Sequence, residues 1–160
     1  MRRDATRSHR ATAMTDQMTT MRGSCHCGQL NIEFSTAKHP ADFHPRACDC
    51  SFCRKHGAAY ISDPDGKLTF AQNHAGAIRE YRQGSHAARL LLCGACGVLM
   101  GVVYDHSSGT YGAVNAGCLD GETGLGDAVA ASPQLLTEDE KISRWLTLWV
   151  PNVAMVTRGV

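Results

Sequence analysis

Cys93-Gly94-Ala95-Cys96-Gly97 follows the apolar run Leu90-Leu91-Leu92 and precedes Val98-Leu99-Met100. Two strand-like segments joined by C-x-x-C-G read as a metal knuckle. The tight turn aims backbone N–H groups at the sulfurs, and glycine accepts the positive φ that such turns require. A knuckle offers two sulfurs, whereas a closed tetrahedral Zn²⁺ site needs four. The second pair stands in Gly23-Ser24-Cys25-His26-Cys27-Gly28, ahead of a strand. On an extended backbone Cys25 and Cys27 point to one side. Cys25, Cys27, Cys93 and Cys96 are therefore expected to enclose one structural zinc ion.

Working outward, a third cluster reads Cys48-Asp49-Cys50-Ser51-Phe52-Cys53-Arg54-Lys55. Three thiols within six residues can reach one ion, and no fourth cysteine is local. Three protein ligands and a vacant place is the usual arrangement of catalytic zinc. The alternative is a second closed site, completed by Cys118, His26, His56 or another distant residue. Arg54 and Lys55 favour thiolate over thiol. The eighth cysteine, Cys118, reads as a buried free thiol behaving as a small apolar side chain. A disulfide framework fits poorly, because a ring closed across C-x-C strains the S–S dihedral.

Sixteen Lys+Arg against fifteen Asp+Glu leave a formal charge of +1. That excludes a strongly polyanion-seeking protein on composition alone. Residues 1–21 hold four arginines and two aspartates among Thr, Ser, Ala and Met. They have no apolar export core, and they read as a disordered arm. Residues 22–160 read as a single zinc-binding β domain. With no export signal the expected location is cytoplasmic, where thiols stay reduced. Seven thiolates around two zinc ions would take residues 22–160 to about −4, which disfavours nucleic acid. No apolar run approaches the roughly 20 residues of a membrane span.

Elsewhere, period-two alternation predicts short strands. Leu30, Ile32 and Phe34 alternate with polar neighbours; Leu68 and Phe70 do the same after the turn Asp63-Pro64-Asp65-Gly66. Further strands are expected at 58–61, 78–82, 98–104 and 111–115. A C-terminal helix is expected over 137–149. Thr137 and Glu140 form its capping box, and Ile142, Trp145, Leu146 and Trp149 line one face.

Taken in order, GSCHCG, CDCSFCRK, CGACG and VNAGCLDG resemble the glutathione-dependent formaldehyde-activating enzyme family, which includes the centromere-protein-V-like proteins. The resemblance covers about residues 22–121. It implies a mainly β fold of several small coiled antiparallel sheets tied together by zinc. Cys25, Cys27, Cys93 and Cys96 match the family's structural zinc ligands, and Cys48, Cys50 and Cys53 match its catalytic ones. It also implies a carbon–sulfur lyase with two Zn²⁺ per chain, joining a glutathione-like thiol to a small aldehyde such as formaldehyde. In that chemistry Arg54 is the candidate for electrostatic help to the developing alkoxide, and His56 for proton transfer. Asp49 stands where many members carry histidine, and the run 98–103 is apolar where many are polar. The competing reading is a non-enzymatic zinc-stabilised interaction module with both metal sites structural.

Overall fold

Alternation along Leu30–Thr36 buries Leu30, Ile32 and Phe34 on one face, as a half-covered strand requires. The structure, a computed structural model, describes residues 17–159. Its smaller sheet has four strands in the order β1-β2-β5-β11. These are β1 (Thr19–Ser24), β2 (Leu30–Thr36), β5 (Lys67–Gln72) and β11 (Ala154–Thr157). The larger sheet has seven, in the order β10-β3-β4-β9-β8-β7-β6. Its strands are β3 (Arg46–Cys48), β4 (Ala59–Ile61), β6 (Ile78–Tyr81), β7 (Arg89–Cys93), β8 (Leu99–His106), β9 (Gly109–Asn115) and β10 (Val129–Ala131). Among the described residues two α-helices accompany the sheets, α1 (Ser51–His56) and α2 (Glu138–Leu148).

The centre of the larger sheet is buried on both faces, which explains the unbroken apolar run of β8. Leu91, Met100, Val103 and Val114 join Ile32, Phe34, Leu68 and Phe70 in the core between the sheets. Their neighbours Leu90, Leu99, Val102 and Ala113 point the other way, packing with Tyr60, Trp145 and Trp149 beneath α2. A strand covered on both sides reads as continuous rather than alternating hydrophobicity. The sheets pack tightly at Gly101, where an added Cβ would stand 2.7 Å from Phe70 Cζ and collide with the Ala113 carbonyl oxygen.

The mainly β architecture and the C-terminal helix match the sequence expectation. Thr137 caps α2 as expected: its Oγ1 accepts from the Glu140 N–H at 3.2 Å, and Glu140 Oε2 accepts from the Thr137 N–H at 2.8 Å. Three details differ. The sheets are mixed, because β10 pairs with β3 and β11 with β5 in parallel. The arm expected over 1–21 overlaps β1, whose first residue is Thr19; Met21 is buried in the core. The rest of that arm, residues 1–16, lies outside the described residues. Finally, β6 alternates in sequence without a buried face, because it is the sheet's edge.

The turn after β4 is fixed by a buried carboxylate. Asp63 Oδ2 accepts from Thr36 Oγ1 at 2.5 Å, Oδ1 accepts from the Asp65 N–H at 3.1 Å, and Lys38 Nζ lies 3.1 Å away. Burial alone would raise this carboxyl's pKa, but the three donors and the lysine charge together hold it below its ordinary value.

Candidate functional site

The structure gathers seven cysteine sulfurs into two groups on opposite faces of the larger sheet. In the first, Cys25, Cys27, Cys93 and Cys96 place their sulfurs within 4.8 Å of one another. Cys25 and Cys27 sit in the turn between β1 and β2 rather than on extended backbone. The Gly28 N–H closes that turn on the Cys25 carbonyl, with Gly28 at φ 81°. Cys93 ends β7, and the knuckle closes with the Gly97 N–H on the Cys93 carbonyl and Gly97 at φ 77°. The group thus joins a turn of the small sheet to a turn of the large one.

Its distances suit a tetrahedral soft cation. Zn–S bonds of about 2.3 Å put sulfurs about 3.8 Å apart along a tetrahedral edge. Cys27 Sγ lies 3.6 Å from both Cys25 Sγ and Cys93 Sγ. The Leu30 N–H donates to Cys25 Sγ at 3.3 Å. Cys96 is held down to about 6: burial pushes it up, but N–H donors including that of Val98 outweigh this.

The second group is Cys48, Cys50 and Cys53, again within 4.8 Å, with no fourth donor of this kind among the described residues. Cys48 ends β3, Cys50 is the N-cap of α1, and Cys53 lies in its first turn. Cys50 Sγ accepts from the Cys53 N–H at 3.4 Å, so the cap itself folds the sulfurs together. Two more donors fix the group: Tyr60 Oη lies 3.2 Å from Cys53 Sγ, and Gln83 Nε2 donates to Cys50 Sγ at 3.6 Å. A hydrogen bond from Cys53 pulls the Cys48 thiol down to about 6, and the same bond pushes Cys53 up.

These three sulfurs open into a cavity of about 290 Å³. Tyr60, Leu90, Val102 and Trp145 form its apolar wall, and Gln83, Gln134 and Lys141 supply polar groups. The connector to α2 is fastened to the cysteine loop through Asp49. Its N–H donates to the Ala131 carbonyl at 3.0 Å, and its Oδ2 accepts from Ser132 Oγ at 2.5 Å.

Arg54 and His56, the expected catalytic pair, are not among the lining residues. Both are exposed on α1. Arg54 is rotated about 100° from Cys53, and His56 sits a turn farther along the axis. His56 instead lies against the Phe52 ring at 4.6 Å. Sequence reasoning missed Tyr60, Gln83 and Lys141, which reach the cavity through tertiary packing. The strand expected at 58–61 carried the only signal for Tyr60. Cys118 joins neither group; its buried thiol donates to the Leu99 carbonyl at 3.0 Å and is pushed up to about 11 by burial.

Among the described residues no helix is long and apolar enough to cross a membrane. Residues 20–135 match the family model described as glutathione-dependent formaldehyde-activating enzyme. The chain is also similar to a Rhodobacter sphaeroides protein of known crystal structure. That protein shares 31% sequence identity, over 63% of this chain and 89% of its own, with a TM-score of 0.47.

Proposed function

The chain belongs to the glutathione-dependent formaldehyde-activating enzyme family, and on that premise we propose that it is a zinc-dependent enzyme of carbon–sulfur lyase type. It forms or breaks an adduct between a glutathione-like thiol and a small aldehyde such as formaldehyde. One observation carries the reading: the Cys48, Cys50 and Cys53 sulfurs open into a cavity, whereas the other four sulfurs enclose a common centre. Soft thiolate donors at these spacings fit Zn²⁺ in both places. Zinc bound by the triplet would supply a Lewis acid that favours thiolate over thiol near neutral pH.

The chain's own residues do the rest. Tyr60 and Gln83 fix two of the three sulfurs from outside, which sets their direction and tempers their charge. The apolar wall of Leu90, Val102 and Trp145 keeps water from a reactive carbonyl carbon. In the forward direction the thiol sulfur bonds to that carbon, the C=O π pair moves to oxygen, and the oxygen takes up the proton the thiol released. No oxidant or reductant is required.

The closed-centre reading, a structural interaction module, gains no support from a triplet that opens into a cavity. Mixing the zinc-loaded protein with glutathione and formaldehyde and following adduct formation by NMR exchange spectroscopy tests the proposal. Acceleration over the uncatalysed mixture supports it; an unchanged rate across several thiols and aldehydes contradicts it.

A further inference from the structure

Lys141 brings a positive charge to the cavity wall from α2, whereas the family match ends at residue 135. Its side chain is half-buried, and among the described residues it makes no ion pair. Trp145 lies one turn farther along, on the same helix face, and lines the same cavity. A lysine in the N-terminal half of a helix gains nothing from the helix dipole, which favours anions there. Glu138, Asp139 and Glu140 already occupy that favourable position. Apart from the cysteine triplet, the other polar side chains on the wall, Ser51, Tyr60, Gln83, Ser85 and Gln134, are uncharged.

We infer that Lys141 is a specificity-determining residue that pairs with a carboxylate of the thiol substrate, selecting anionic thiols over neutral ones. The inference rests on the thiol–aldehyde reading above and adds the residue that reads the thiol's carboxylate. A thiol seated at the cysteine floor shares the cavity with the Lys141 side chain. There a carboxylate meets a partly desolvated cation, and a charge-assisted hydrogen bond outweighs what either group gains in water.

The test is calorimetric titration of the zinc-loaded full chain with 3-mercaptopropionate and its neutral analogue 3-mercapto-1-propanol. The wild type should prefer the anionic thiol by about tenfold, the effect of one hydrogen bond between charged groups. Lys141→Met should abolish that preference and leave the neutral thiol's affinity unchanged, while Lys141→Arg retains the preference. Equal wild-type affinity for both thiols overturns the inference and leaves the proposed function standing. Equal weakening of both by Lys141→Met also overturns it, since the lysine would then only offset the charge of the cysteine triplet. Failure of the wild type to bind either thiol overturns the inference and the function together.

Discussion

The Tyr60 hydroxyl stands 3.2 Å from the Cys53 sulfur, so a residue of β4 anchors one corner of the cysteine triplet from beneath the cavity. Burial pushes the Tyr60 phenol well above its ordinary range, and the neighbouring cysteine charges push it further. Its O–H therefore stays protonated and acts as the donor. Tyr60→Phe keeps the ring and removes that donor. The expected result is a tenfold to hundredfold loss of zinc affinity, on the order seen when an outer partner of a ligand is removed. Chelator competition should show the loss at one of two metal equivalents, with the fold intact by circular dichroism.

The two sulfur groups do different mechanical work. The first joins turns of separate sheets, and structural zinc in small peptides is worth about 10–16 kcal/mol, comparable with a domain's net stability. Cys93→Ser should unfold the protein or lower its melting temperature severely. Cys53→Ser, in a group confined to one sheet and α1, should retain the fold and lose one equivalent of metal. Thermal melting with elemental analysis distinguishes the two.

Asp63 is buried and accepts from Thr36, the Asp65 backbone and Lys38. Asp63→Asn should cost about 2 kcal/mol in denaturant melts, the range for a hydrogen-bonded charged group. Its folded pKa lies below the ordinary 3.8, so its contribution is complete above that value and fades only as pH falls toward the lower folded one. The gap between wild type and variant should stay constant between roughly pH 5 and 8. A gap that narrows within that window contradicts the assignment.

Gly101 lies where the sheets meet, with the Phe70 ring in the place of a side chain. Gly101→Ala should destabilise by about 1–3 kcal/mol, because a packed core yields little to an added methyl. Denaturant midpoints measure it. An unchanged midpoint would mean that the Phe70 ring can move aside at no cost.

The division of seven cysteines into four and three was legible from spacing, since ligand count and turn chemistry are local. So were β2, from Leu30, Ile32 and Phe34, and the capped start of α2, from Thr137 and Glu140. Pairings across long stretches were not. Nothing near 129–131 or 154–157 signals a parallel partner in β3 or β5, because register there depends on the assembled sheets. Arg54 and His56 follow Cys53 closely in sequence, but both are exposed on α1 and neither lines the cavity. A helix turns about 100° per residue, so the neighbours of a ligand face elsewhere. Lys141 reaches the same cavity from 88 residues beyond Cys53 only because α2 folds back over the sheet.

The central claim is that two metal ions are held by thiolates and that one of them is accessible to a thiol. Cobalt substitution of the reduced protein, followed by addition of glutathione, tests it most directly. The expected result is two equivalents of Co²⁺ with thiolate charge-transfer bands, and a spectral change on thiol addition that is abolished by Cys53→Ser. Fewer than two equivalents of cobalt, or bands indifferent to glutathione, would contradict it.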